Sequence, residues 1–204
     1  MKSRILDILA REAAAIQSIP VNDEYDKAVE LIKEKVHKQG GKLITSGMGK
    51  AGQIALNMAT TFSSTGTPAV FLHPSEAQHG DLGIVQPNDI MLLISNSGKT
   101  REILELYYLS RNLNPNLKYI GISSSQEGEF KDFCDAYLYT GNPQEVCKLG
   151  LCPTTSTTVM TAIGDALVVE MMHQINFTNE QYSKRHHGGY LGQKSREQAK
   201  EAEQ

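Results

Sequence analysis

The chain has 204 residues, 40% of them hydrophobic, enough to bury one sizeable core as a single domain. Lys and Arg number 20 against 23 Asp and Glu, and the net charge of -3 offers no basic face to nucleic acid or to an anionic membrane. The longest apolar runs fall short of a membrane span, and charges interrupt Met1-Lys2-Ser3-Arg4 and the ILDILAREAAA that follows, so the chain reads as soluble and cytoplasmic.

In chain order, residues 1–39 predict a pair of helices. Ile5, Leu6 and Leu9, then Ala28, Leu31, Ile32 and Val36, recur at helical spacing, and Pro20-Val21-Asn22-Asp23 separates the two segments. After Gly40-Gly41 the pattern changes to short apolar runs alternating with helical stretches. KLITS (42–46), AVFLH (69–73), DIMLLIS (89–95), LKYIGIS (117–123) and AYLYT (136–140) read as five buried strands, with helices over 50–64, 100–112 and 128–134. This alternation predicts a parallel sheet with right-handed crossovers, a flavodoxin-like three-layer αβα sandwich in strand order 2-1-3-4-5. A long helix over 153–173 completes a core of residues 40–175. Residues 176–204 predict a short helix and a polar tail that frays at its end.

Two loops at strand ends carry the strongest chemical signal. GMGKAG (47–52) and SNSGKT (95–100) each open a helix after a strand, so glycine backbone, exposed N-H groups and a helix N-terminus converge where an anion could sit. In the first loop the candidates are Ser46, Gly47 and Gly49; in the second, Ser95, Asn96, Ser97 and Thr100 add side-chain donors. Both loops follow strands that flank the switch point of the predicted sheet, where ligands bind in such folds. Many neutral donors and few fixed positive charges suit a small phosphorylated metabolite such as a sugar phosphate. The start of the long helix, Thr154, Thr155 and Ser156 in PTTSTT, offers further donors.

GMGKAG also satisfies GxGxxG, the dinucleotide fingerprint, which needs an acidic residue about 20 positions on at the end of the second strand. Here that strand ends in Leu72-His73-Pro74, and no phosphate-loop GxxxxGK[ST] spacing is present, so a phosphosugar site is the better account.

Between the second and third strands, EAQHGDLG (76–83) holds His79 between two acids. By itself it would be a helix-turn with solvated Glu76 and Asp81 and a packed histidine; beside two phosphate loops at the same sheet edge, His79 becomes a candidate site residue. Glu102 lies in the first turn of the helix after SNSGKT, as a helix-dipole partner worth about 0.3–1 kcal/mol or as a general base held against bound substrate. His186-His187-Gly188-Gly189 reads either as a flexible loop or as a lid that reaches a neighbouring active site. Of the three cysteines, Cys147 and Cys152 lie at the wrong spacing for a zinc ribbon, so free thiols are expected. The one metal in view is an adventitious, inhibitory zinc near His79 and Cys147.

Taken together, GMGKAG, FSSTGTPAVFLHPSEAQHGDLG, ISNSGKTREI, CKLGLCPTTSTTVMTAIGDAL and RHHGGYLGQK resemble the sugar isomerase (SIS) family, and within it the arabinose 5-phosphate isomerases. The resemblance implies interconversion of D-ribulose 5-phosphate and D-arabinose 5-phosphate through an enediol, for synthesis of Kdo in lipopolysaccharide or capsule, with no cofactor. It places the functional residues at Lys50, His79, Glu102 and His186, with Glu102 as base, His186 as proton shuttle, Lys50 polarising the carbonyl and His79 orienting hydroxyls or sharing the proton work. It also implies a homotetramer in which the His186 tail reaches a neighbouring subunit and the two N-terminal helices supply much of the interface. Lys99 stands where the family has glutamate in SNSGE, and His187 where it has proline in HPGG. One SIS domain is expected over residues 1–204, without the CBS regulatory domains that many relatives carry. Feedback would then fall on the site itself, with CMP-Kdo as competing ligand. The alternatives are a non-catalytic module that senses a phosphosugar or CMP-Kdo, or an isomerase of another phosphosugar.

Overall fold

The computed structural model describes residues 1–202. Five parallel strands, β1 (Leu43–Gly47), β2 (Ala69–Phe71), β3 (Ile90–Ile94), β4 (Lys118–Ser123) and β5 (Ala136–Tyr139), form one sheet in the order β2-β1-β3-β4-β5. This is the order read from the alternation of runs. β1 and β3 are neighbours with Gly47 opposite Ile94, so the carboxyl ends of both strands, and the loops that follow them, lie side by side.

The period of two along each strand builds two cores. In β3, Ile90, Leu92 and Ile94 face one side while Met91 and Leu93 face the other, and all five are buried. The first side is covered by α2 (Asp23–Ile32), α3 (Gly49–Ser64) and α7 (Thr155–Gln174), through Val29, Ile32, Met58, Phe62, Ile163 and Leu167. The second is covered by α4 (Pro74–Ala77), α5 (Arg101–Leu113) and α6 (Glu129–Asp132), through Ala77, Ile103, Leu106 and Phe130. The sandwich therefore has three layers.

The two N-terminal helices fare differently. Asn22 caps α2 by accepting the Glu24 N-H, and α2 buries Ala28, Val29 and Ile32 before continuing as a π-helical turn over Lys33–Lys38. By contrast α1 (Lys2–Gln17) buries nothing and leaves Ile5, Leu6 and Leu9 more than half exposed. The helices divide into a core element and a peripheral one. The tail also departs from expectation. After α8 (Asn179–Arg185), closed at its start by a capping box between Thr178 and Gln181, α9 runs over Gly189–Ala202 in place of a frayed polar end. The last two residues of the expected frayed end lie outside the described ones.

Candidate functional site

The loop between β1 and α3 is shaped by glycine. A Cβ on Gly47 would meet the Ala51 backbone at 2.7 Å, and one on Gly52 would meet the Gly47 carbonyl at 2.5 Å, so only glycine lets α3 start this close to the strand. Gly49 adopts φ +57, turning the chain into the helix. Met48 occupies the N-cap of α3 and no side chain caps it. Lys50 follows at once, exposed at the mouth of the cavity that the loop borders.

The second loop is pinned to β4. Ser95 is buried; its N-H donates to the Ile122 carbonyl and its hydroxyl shares a hydrogen bond with Thr100 at 2.8 Å. The Asn96 carbonyl accepts from the Ser124 N-H, the Ser124 hydroxyl and the Ser123 hydroxyl. Gly98, at φ +66, donates back to Ser95 and tightens the turn, leaving Ser97 and Asn96 exposed. Thr100 is the N-cap of α5, again without a side-chain cap.

Between these loops and the start of α7 lies a cavity of about 260 Å³, walled by Lys50, Ser95, Asn96, Ser97, Thr100 and Ser156 together with Met48, Pro153, Thr157 and Met160. Six candidate residues from three separate segments thus meet in one place. It is polar on its loop side and apolar at Ile94 and Met160, as suits a ligand with an anionic end and a carbon chain.

Other candidates stand elsewhere. Ser46 is fully buried and donates to the Leu72 carbonyl at 2.6 Å, so it joins β1 to the chain after β2 and has no donor left for a ligand. Gly47 packs against the first turn of α3. Thr155 is buried and turned away from the cavity: its hydroxyl donates to Glu12 on α1 at 3.0 Å and accepts the Val146 N-H. Thr154 gives both its N-H and its hydroxyl to Glu145. Glu102 is half-buried on the first turn of α5, two residues after Thr100, and accepts no hydrogen bond among the described residues. His79 is exposed in a turn tied to α5 by Gln78, which donates to Glu105 at 2.8 Å.

His186 is not brought to the cavity of its own chain. Its ring stacks on Tyr182 at 3.7 Å, with Nδ1 3.1 Å from the Tyr182 carbonyl. The tail begins beside the far end of α3, where Phe177 fills the space over Gly66. Nor do His79 and Cys147 form a metal cluster: among the described residues no three His, Cys, Asp or Glu side chains lie close enough to hold an ion.

Glu145 is the residue that sequence reasoning missed. Its carboxylate accepts from the Thr154 N-H at 2.7 Å, the Thr154 hydroxyl at 2.8 Å, the Ser156 N-H and the Ser156 hydroxyl, which makes it the anion at the N-terminus of α7. Partial burial pushes this carboxyl up, but the hydrogen bonds from Ser156 and Thr154 outweigh it and hold the pKa below its ordinary value. Helix-start patterns span only the cap and the next three positions, whereas this acid lies nine residues upstream, so no local signal marks it.

Comparison with known proteins agrees with the fold. The SIS domain family matches residues 35–170, the greater part of the chain. An arabinose 5-phosphate isomerase, KdsD, of Yersinia pestis is 43% identical over 186 residues, 91% of this chain and 55% of that protein, so the chain spans about half the length of the curated relatives it matches. A Bacteroides fragilis crystal structure, described as a candidate phosphosugar isomerase involved in capsule formation, is 64% identical with a TM-score of 0.92, covering 93% of this chain and 99% of that one. The Escherichia coli CFT073 protein c3406, solved in complex with arabinose 5-phosphate, is 32% identical with a TM-score of 0.83, covering 89% and 95%. The chain belongs to the SIS domain family.

Proposed function

We propose that this chain is an aldose-ketose isomerase that interconverts D-ribulose 5-phosphate and D-arabinose 5-phosphate in the supply of Kdo for lipopolysaccharide or capsule. The observation that carries this reading is the meeting of Lys50 with the Ser95–Thr100 loop in one cavity at the β1/β3 switch point. Since Glu145 already occupies the start of α7, the phosphate belongs on the Ser97 and Thr100 side, at the uncapped start of α5. The sugar chain then extends toward Lys50 and Met160.

Isomerisation needs a proton taken from C1 of the ketose and returned at C2, with the carbonyl and hydroxyl exchanging a proton. Glu102 is assigned the carbon proton, Lys50 the stabilisation of the enediolate oxygen, His186 the oxygen-to-oxygen proton, and His79 the orientation of hydroxyls. His186 comes from a neighbouring subunit of a homotetramer, a role supported by its standing outside the lining of its own chain's cavity and by the exposed Ile5, Leu6 and Leu9 face of α1. CMP-Kdo fits as a feedback ligand that competes at the same cavity, and the cytoplasm is the compartment in which these phosphates occur. No described helix is long and apolar enough to cross a membrane.

The test is direct turnover of D-arabinose 5-phosphate to D-ribulose 5-phosphate, with Glu102→Gln and His186→Ala expected to lose about 10²–10⁴-fold each. Binding of the phosphosugar without turnover would make the chain a sensor and leave these residues as ligand contacts.

A further inference from the structure

The three cysteines lie in two different settings. Cys134 donates its thiol to the Phe130 carbonyl at 3.0 Å, and burial pushes its pKa up, so it is an inert packing group. Cys147 and Cys152 instead face each other across a tight turn, closed by the Gly150 N-H on the Cys147 carbonyl at 3.0 Å with Gly150 at φ +64. The Cys152 N-H donates to Cys147 Sγ at 3.2 Å. Donation from the Cys152 N-H holds the Cys147 thiol below its ordinary pKa, while the neighbouring Cys147 sulfur raises that of Cys152.

This turn stands at the entrance to the substrate cavity. Pro153, next to Cys152, lines the cavity, and Glu145, two residues before Cys147, holds the start of α7.

We propose that Cys147 and Cys152 form an oxidation site, in which a peroxide converts the pair to an intrachain disulfide that reshapes the entrance to the cavity. The Cys147 thiolate attacks a peroxide oxygen, the O-O bond breaks, and with one proton taken up the products are a sulfenic acid and water. The Cys152 sulfur then attacks Cys147 Sγ, the hydroxyl leaves with the Cys152 proton as a second water, and two thiols have reduced one peroxide. Forming the bond draws the two sulfurs to a separation of about 2 Å and pulls Cys152 with Pro153. A shift of about 1 Å at a positioning residue costs up to 10²-fold in rate. The effect on turnover rests on the isomerase reading; the oxidation does not.

The experiment treats the purified chain, kept in chelator, with hydrogen peroxide and follows intact mass, peptide linkage and turnover in parallel. The expected result is loss of two hydrogens, a Cys147–Cys152 linkage with Cys134 still free, and a fall in turnover of about tenfold or more that dithiothreitol reverses. Cys152→Ala keeps the backbone donor to Cys147, so reduced activity should be unchanged and peroxide should stop at a sulfenic acid that dimedone traps. A linkage between chains, or consumption of Cys134 first, would overturn the site. A disulfide that leaves turnover unaltered would overturn its control of the cavity. If the reduced protein turns over no arabinose 5-phosphate, the isomerase reading fails and the mass and dimedone results still decide the thiol chemistry.

Discussion

The loop over 95–100 and the segment around His186 carry similar sequences, polar side chains beside glycine, and are held in opposite ways. In the loop, Ser95 bonds to β4 and the Asn96 carbonyl receives three donors from residues 123 and 124, so the sheet fixes it from a distance in sequence. Around His186 the ties are local: its own helix at Tyr182, Arg185 over the Phe177 ring at 5.4 Å, and the Ser195 hydroxyl on Asn179. One region is complete within a chain, while the other is a small self-contained unit that another molecule can place. Under the proposed function, the site depends on assembly for its proton shuttle and on the sheet for its anion seat.

Subunit mixing would break this comparison most decisively. Glu102→Gln and His186→Ala chains, each inactive alone, are refolded or expressed together. If the tail completes a neighbour's cavity, random mixing restores about a quarter of wild-type turnover, since half the sites keep Glu102 and half of those receive an intact tail. Turnover that stays at the average of the two parents would place His186 in its own chain's chemistry or outside it.

The same contrast governs what could be read from the sequence. β3 was legible because Ile-Met-Leu-Leu-Ile is buried on both faces and admits no other element of that length, and the glycines of GMGKAG were legible because backbone approach requires them. Lys50, Ser95 to Ser97 and Thr100 came with these elements. Thr155 and Ser46 were misplaced because a hydroxyl at a loop or strand end has the same pattern whether it faces a ligand, the Leu72 carbonyl or Glu12. Glu145 was invisible because its partners are set by a tertiary turn. The two N-terminal helices share an amphipathic period, and only packing distinguishes the core helix α2 from the peripheral α1.

A smaller effect is expected at Glu145, where the cavity borders a segment that the sheet does not hold. Glu145→Gln keeps the shape and removes the charge at the start of α7, and an N-terminal cap contributes about 1 kcal/mol. We expect kcat/KM to fall about tenfold as Ser156 loses its fixed partner. Because the folded-state pKa of Glu145 is depressed, its contribution is present above the unfolded-state pKa and is lost as pH falls through the folded-state one. The Tm difference between wild type and Glu145→Gln should therefore close in acid. A gap that persists below the carboxylate range would mean that the carboxylate charge does not hold the helix.

The smallest effect is expected at Glu12, and it sharpens the comparison from the other side. α1 has no buried residue, yet it reaches the site twice: Glu12 accepts from the Thr155 hydroxyl at 3.0 Å and Arg11 donates to the Glu145 carbonyl at 3.5 Å. Thr155 in turn accepts the Val146 N-H, so the peripheral helix, Thr155 and the turn before Cys147 form one chain of hydrogen bonds. Glu12→Gln retains an oxygen acceptor and should behave as wild type. Glu12→Ala leaves the Thr155 hydroxyl to find water at a half-buried edge, a loss under about 1 kcal/mol, which should raise KM about two- to threefold and leave kcat unchanged. Amide exchange distinguishes this tether from simple packing, because residues 145–156 should exchange faster in Glu12→Ala than in Glu12→Gln while the β3 amides stay as protected as before. Equal exchange in the two variants would show that α1 rests on the site without holding it, and its apolar face would then be its sole contribution to assembly.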